Sequence, residues 1–225
     1  MLPKISIITP SFNQVDFLEQ TIQSVLNQNY ANLEYIIIDG GSTDGSVDII
    51  KKYSDKLTYW VSESDQGQSD AINKGIKMAT GDLIAWQNSD DIFYSDVFNR
   101  IALYSIKYPK VNLFVGDINL IDKYGNNIRD VKYVNPIYKS LLYEGMTLTN
   151  QAAFWRRKIH NDLGYLNASL HYGFDYEWFL RILEKHKGVH VNMTLGALRL
   201  HGDTKTSLFL DRFKIEYESF LRTLL

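Results

Sequence analysis

LIAWQNSDD, residues 83–91, is the stretch on which the reading of this chain turns. Leu83 to Gln87 are mostly apolar and have the pattern of a short buried strand. Asn88 and Ser89 break that run, and Asp90 and Asp91 stand side by side just past its end. Adjacent carboxylates repel one another, and burial makes their charged forms costlier still. A cation or a group of hydrogen-bond donors at the strand end relieves that cost. The plain alternative is that one of the pair caps the next helix or turn, which Asp commonly does.

Towards the N-terminus the same pattern repeats. Ile5 to Thr9 form a β-branched run that is expected to end at Pro10, a residue unsuited to a central strand. A helix follows with Phe17, Leu18, Ile22, Val25 and Leu26 at helical spacing, and Asp16 with Glu19 resembles a capping box. Leu33 to Ile38 read as a second strand ending at Asp39, and Gly40 to Gly45 as a turn. Val47, Ile50 and Tyr53 mark a short helix, and Leu57 to Val61 a third strand. The next helix carries Ile72, Ile76 and Ala79 on one face, with Gly81 placed as a C-terminal glycine. Strands alternating with helices over short loops predict a parallel sheet with helices packed on it. Ligands of such open sheets bind beyond the carboxyl ends of the strands. Thr9 to Phe12, Asp39 and the Asp90/Asp91 pair all fall there, so three strand ends converge on one crevice.

Beyond Asp96 a helix with Val97, Ile101 and Tyr104 precedes a change of pattern. Leu113 to Val115, Ile118 to Ile121 and Ile128 to Tyr133 predict strands, the last two joined around KYGNN. Short helices are expected over 137–144 and 156–163, with an edge strand from Ala152 to Trp155 between them. Asp175 to His186 predict a helix, and LGALRLHGD a strand running out at His201. The final segment sets Phe209, Phe213, Tyr217, Phe220 and Leu224 at helical spacing.

Composition narrows the function classes. The chain has 225 residues, 45% apolar and 22% charged, which suits one globular domain over 1–225. The formal charge is −2 without a long run of Lys or Arg, which argues against nucleic-acid binding. There is no cysteine, so disulfides and thiolate metal sites are excluded. The opening MLPKISIITP reads as a strand rather than a signal peptide, and no apolar stretch approaches the roughly 20 residues of a membrane span. A cytoplasmic protein is expected. No G-x-G-x-x-G follows the first strand, which disfavours a nicotinamide dehydrogenase.

TPSFN, IIIDGGSTDGS, DQGQSDAINKGIKMATGD, WQNSDD, GFDYEWFLR and LRLH, in this order and spacing, resemble the inverting family 2 glycosyltransferases of GT-A fold. The resemblance covers most of the chain and is strongest from Ile5 to Asp91. It implies an α/β fold with a mostly parallel central sheet flanked by helices and a smaller mixed region on the acceptor side. Residues 1–125 would then be the nucleotide-sugar half, and 126–225 the acceptor half with its C-terminal helix. The implied activity moves one sugar with inversion from a nucleotide sugar, a UDP-sugar foremost, to a hydroxyl of a glycan or lipid-linked glycan, in bacterial cell-surface polysaccharide synthesis. The implied cofactor is Mg²⁺ or Mn²⁺. The runner-up is a non-catalytic nucleotide-sugar-binding or scaffold module.

The resemblance also assigns residues. Pro10, Phe12 and Asn13 lie in the nucleotide-binding motif, with Phe12 offering an aromatic face to the base. Asp39 would accept a hydrogen bond from the base, and Asp65, Asp70, Asn73 and Lys74 match positions that line the donor pocket. For each of these a structural reading competes: core aromatic, turn residue, helix cap, solvated lysine. Asn88 stands where the family's DXD motif has its first Asp, leaving Asp90 and Asp91 to share ribose and metal. Asp91 is the first choice for the metal, and His201 matches a family histidine near metal or diphosphate. Asp175, after Phe174 where relatives commonly have Glu, matches the catalytic base; its competing reading is a helix N-cap. The last helix carries Arg212, Lys214 and Arg222 but also Asp211, Glu216 and Glu218. That mixture favours packing or a homodimer over peripheral attachment to the inner membrane face.

Overall fold

The sheet grows outward from β1 (Ile5–Ser11), which pairs in parallel with β2 (Leu33–Asp39) on one side and β4 (Leu83–Trp86) on the other. β3 (Tyr59–Ser62) adds in parallel to the outer edge of β2. The computed structural model describes residues 2–202 and 210–224. Past β4 the directions alternate: β8 (Ala153–Arg156) is antiparallel to β4 and to β6 (Leu113–Ile121), and β9 (Gly188–Arg199) runs parallel to β6. The two-residue β5 (Ile92–Phe93) closes on β9, and β7 (Asn127–Val131) forms a hairpin with β6. The order is β3-β2-β1-β4-β8-β6-β9-β5. Only five residues separate Trp86 from Ile92, yet their strands are far apart in that order, so the sheet curls back over the segment 87–91.

Alternation along the strands fills two cores. Ile5, Ile7, Tyr35, Ile37, Leu83 and Ala85 pack with α1 (Leu18–Leu26), α2 (Ser46–Lys52) and α4 (Val97–Lys107). Ile8, Ile36, Ile38, Ile84 and Trp86 face α3 (Gln68–Met78), α5 (Tyr138–Glu144), the short α6 (His160–Leu163) and α7 (Phe174–Lys185). A last helix, α8 (Leu210–Leu224), carries Phe213, Tyr217 and Phe220 on its partly buried side, while Phe209 lies outside the described residues. Among the described residues no helix is long and apolar enough to cross a membrane.

The α/β class and the parallel half agree with the sequence pattern, and several boundaries do not. β1 continues through Pro10, which pairs with Ile38. This is tolerated because the β4 register stops at Ile8–Trp86, so the missing N–H of Pro10 faces no ladder on that side. Asp16 and Glu19 form no capping box: Phe17 is the N-cap, and Glu19 instead accepts from Lys52 and Tyr53. Gly81 does not terminate α3, which ends at Met78; it lets the β4 approach pass Lys4, whose carbonyl would lie 2.9 Å from a Cβ there. The strands expected at 113–115 and 118–121 are one, with register shifts on either side of Asp117. The expected edge strand at Ala152 to Trp155 sits instead between β4 and β6, and the following helical turns begin at Arg157.

Glu34 fastens three parts of the parallel half of the sheet. It is buried on β2 and accepts hydrogen bonds from Lys4 Nζ at 2.8 Å, from Ser6 Oγ, and from Thr80 N and Oγ1 at 2.7 Å each. Burial by itself would push its pKa up; these bonds more than reverse that and hold it at about 2. A folded-state pKa below the unfolded value gives stability that is present above the unfolded pKa and lost as pH falls through the folded one. Glu34→Gln is therefore expected to lower unfolding free energy by about 1–3 kcal/mol at neutral pH. The gap to wild type should shrink between about pH 4.5 and 2, where Glu34 protonates. Urea unfolding across that range checks it, and a gap independent of pH would contradict the assignment.

Candidate active site

The candidate residues lie past the carboxyl ends of β1, β2 and β4, which the parallel pairing sets on one side of the sheet. At the end of β1 Phe12 is 59% exposed, and Asn13 adopts φ 50°. Asn13 is stapled to the next loop, its N–H donating to Ser42 Oγ at 2.8 Å and its Oδ1 accepting from Thr43 N–H at 2.9 Å. Pro10 is buried within β1 and sets the exit of the strand rather than a contact surface.

Asp39 at the end of β2 is fully buried. Its Oδ2 accepts from Gly41 N, Ser42 N and Ser62 Oγ, and its Oδ1 from Ser42 Oγ. In this geometry Asp39 shapes the turn that follows β2. A different carboxylate stands beside Phe12. A Cβ on Gly40 would lie 2.7 Å from Asp65 Oδ2 and 3.3 Å from the Phe12 ring. Glycine at position 40 thus leaves the space that Asp65 enters. Asp65 Oδ1 is held by Gly67 N–H at 2.8 Å.

The remaining donor-loop residues divide by partner. Asp70 Oδ2 accepts from Gln66 N–H, and Lys74 Nζ lies 3.1 Å from Glu63 and 3.5 Å from Asp70. These contacts, foremost the hydrogen bond to Glu63, raise the Lys74 pKa. Lys74 therefore braces the two ends of the loop. Asn73 faces the other way: its amide donates to Leu166 O at 2.9 Å and accepts from Leu166 N at 3.0 Å. Both sides of that amide are occupied, so Asn73 joins α3 to the segment ahead of α7.

At the end of β4 the two aspartates separate. Asp91 is 2% exposed; Oδ1 accepts Arg199 N–H at 2.8 Å, and Oδ2 accepts Gln151 Nε2 at 2.7 Å and Asn88 Nδ2 at 3.1 Å. Burial, then the Asp90 charge, pushes its carboxyl well above the usual range. Both oxygens of Asp91 thus carry hydrogen bonds that tie the end of β4 to β9 and to the segment ahead of β8. Asn88 accounts for the departure from DXD. Its amide accepts from Gln68 at 2.9 Å while donating to Asp91, which an ionised Asp could not do.

Asp90 is partly exposed, and its Oδ2 lies 3.1 Å from His201 Nε2, so an oxygen and an imidazole nitrogen converge. That donor pair suits a divalent cation completed by phosphate oxygens and water. Among the described residues no group of three or more His, Cys, Asp or Glu could hold a metal unaided. Behind the pair lies Arg199, 1% exposed and not singled out from sequence. Its Nε donates to Asp90 O at 2.8 Å, Nη2 to Gln20 Oε1 at 2.9 Å, and Nη1 to the carbonyls of Asp122 and Lys123. An arginine within the apolar run LGALRLH was the available signal.

Asp175 occupies the first turn of α7, whose N-cap is Gly173, and its Oδ1 accepts the N–H of Tyr176 at 2.8 Å. Phe174 beside it packs on Trp86 with ring centroids 6.3 Å apart, which brings this turn over the end of β4. The N-cap reading of Asp175 is thereby set aside.

Residues 6–164 match the family model described as glycosyl transferase family 2. The chain belongs to that family. An uncharacterized glycosyltransferase of Haemophilus influenzae is 32% identical over 83% of this chain and 74% of its own length. One from Rickettsia typhi is 27% identical over 96% of the chain and 70% of its length, whereas the chain spans only 39% of a Rickettsia felis relative at 29% identity. Among solved structures, S. aureus TarS with UDP-GlcNAc superposes at TM-score 0.80 and 17% identity, over 97% of this chain and 65% of that one. The mannosyltransferase PcManGT from Pyrobaculum calidifontis, with GDP-Man and Mn²⁺, gives 0.72 at 15% identity, over 98% and 64%. At these identities the likeness establishes the fold, which is the expected GT-A fold of family 2.

The unequal environments of the aspartates give opposite outcomes on truncation. Asp91→Ala strands three donors in the interior and should cost about 2–4 kcal/mol of unfolding free energy. Asp90→Ala should cost under about 1 kcal/mol yet abolish any Mn²⁺-dependent stabilisation by nucleotide. Chemical denaturation with and without MnCl₂ and nucleoside diphosphate reads both. The reverse pattern would exchange the roles of the two aspartates.

Proposed function

We propose that this chain transfers one sugar from a nucleoside-diphosphate sugar to a hydroxyl group, with inversion at the anomeric carbon. The observation that supports the reading is that Phe12, with Asp65 beside it, follows β1 and Asp90, with His201 beside it, follows β4, while the turn bearing Asp175 packs through Phe174 on Trp86 at the end of β4. Phe12 supplies an apolar face for the base, and Asp65 Oδ2 beside it an acceptor for a base N–H such as the imide of uracil. Asp90 and His201 would hold the divalent cation, which when bound acts as a Lewis acid on the leaving diphosphate. Asp175 takes the proton of the acceptor hydroxyl as its oxygen bonds to the anomeric carbon and the bond to the diphosphate breaks. The proton thus passes to the Asp175 carboxylate, and the electron pair of the broken bond leaves with the nucleotide.

A UDP-sugar is the favoured donor, supported by the TarS complex and by the acid placed for a base N–H; the GDP-Man complex of PcManGT makes guanosine the alternative to test. The acceptor is a glycan or lipid-linked glycan in cell-surface polysaccharide assembly, at the cytoplasmic side of the membrane. Bacterial glycosyltransferases among the relatives support that setting. Exposed Ile137, Tyr143 and Met146 on the acceptor half offer apolar surface to such an acceptor.

A thermal-shift screen of nucleotide sugars with MnCl₂, followed by a transfer assay with the donor found, tests the reading. Asp175→Asn should keep donor binding and lose transfer by about 10²–10⁴-fold. Undiminished turnover in that variant would remove Asp175 from the chemistry, and no cation-dependent donor binding would favour the binding-module alternative.

A further inference from the structure

The C-terminal helix reaches back to the turn that bears Asp175. Glu216 on α8 is half-buried, and its Oε1 accepts the N–H of His171 while its Oε2 accepts those of Tyr172 and Gly173, each at 2.8 Å. Helices begin with N–H groups that lack an internal partner, and a side chain at the N-cap ordinarily supplies one. Gly173 at the N-cap of α7 has no side chain to offer. A carboxylate from a helix 43 to 45 residues further along the chain supplies the acceptors just ahead of that position. A negative charge at this end also opposes the positive pole of α7.

The neighbouring residues of α8 hold the same place from other directions. Tyr217 donates its hydroxyl to Tyr176 Oη at 3.0 Å, and Tyr176 donates onward to Leu141 O at 2.7 Å. Phe213 meets Tyr172 edge to face at 5.2 Å, and Arg212 Nη1 donates to the Tyr172 hydroxyl at 3.2 Å. Contacts from α8 therefore fall on both sides of Asp175: on His171–Gly173 before it and on Tyr176 after it. The body of α7 has its own anchor, since Phe174, Trp178 and Phe179 are buried in the core with Trp86. Loss of Glu216 would thus leave α7 folded and loosen only the approach to its first turn.

We propose that Glu216 is a positioning residue for transfer, fixing the turn 171–173 so that the Asp175 carboxylate meets the acceptor hydroxyl. The inference rests on Asp175 being the base. It makes α8 a part of the transfer machinery, whereas the donor groups Phe12, Asp65 and Asp90 stand on β1, the donor loop and the end of β4. A base displaced by about 1 Å loses on the order of 10²-fold in rate. Donor binding and turnover then respond separately to a change at Glu216.

The test compares wild type, Glu216→Ala and Glu216→Gln in the full chain, with Asp175→Asn as reference. Turnover, KM for the donor and backbone amide exchange are measured for each. Glu216→Ala should lower kcat by about 10²-fold with donor KM unchanged and faster exchange confined to 171–173. Glu216→Gln keeps one acceptor oxygen and should recover part of the rate. Full turnover in Glu216→Ala despite fast exchange at 171–173 would overturn the proposal. So would a donor affinity that falls in step with kcat, since that marks a general structural loss. If Glu216→Ala does not fold, the isosteric Glu216→Gln decides by the same two criteria. Should Asp175→Asn turn over like wild type, the failure lies in the assignment of the base and not in Glu216.

Discussion

The buried carboxylate of Asp91 accepts from Asn88 at the end of β4, from Gln151 ahead of β8 and from the backbone of Arg199 on β9, so one residue joins three parts of the curled sheet. Its own carbonyl accepts from Thr21 Oγ1 on α1 at 2.7 Å, which adds a fourth. A carboxylate in the interior is costly unless donors meet it, and here the donors come from segments that must otherwise be brought together. The bonds fix the segment 88–91, and they leave Asp90 directed at His201. Arg199 completes the arrangement by holding the Asp90 carbonyl and the 122–123 turn while its guanidinium lies 5.1 Å from the Phe17 ring centroid.

Two adjacent residues of one type thereby acquire opposite duties from their surroundings. Asp91 accepts three hydrogen bonds and faces inward; Asp90 lies nearer solvent beside an imidazole. Position 88 belongs to the same logic. An amide can bridge Gln68 and Asp91 because it is both acceptor and donor, whereas a third carboxylate there would have added repulsion to a pair already crowded. The same separation recurs past β1 and β2, where Asp39 secures the turn and Asp65 enters the space that Gly40 leaves beside Phe12.

What the sequence disclosed follows from the range of the interactions. The parallel half was legible because β1, β2 and β4 are buried on both faces and the helices beside them carry a local apolar period, so Ile5, Ile36 and Leu83 announce their strands without reference to the rest of the chain. β8 was not, because a four-residue strand inserted antiparallel between β4 and β6 depends on partners about 70 and 40 residues away. Pro10 misled because its cost depends on whether a neighbour needs its N–H, and β4 ends too early to need it. The residue types of the site were visible, yet which carboxylate is open and which enclosed is decided by Ser42, Ser62 and Gln151, of which only Ser42 stands in a quoted motif. Glu216 left a trace: it falls among Phe213, Tyr217 and Phe220 on the stripe of α8 where an apolar residue would be expected, and counting it only as surface charge hides that position.

The segment 166–173 is held by few and specific bonds. Asn73 grips both backbone groups of Leu166, Ser69 Oγ donates to Leu170 O, and Glu216 then holds the next three amides. Residues 166–173 are thus held from the donor-side helix α3 at one end and from α8 at the other, and Asp175 follows directly. A Cβ on Gly67, in the donor loop, would lie 3.7 Å from His171 Nδ1, so the two loops are already neighbours. The approach to Asp175 therefore lies between the 65–70 loop on one side and the last helix on the other, and a shift in either would be felt by the same three backbone amides.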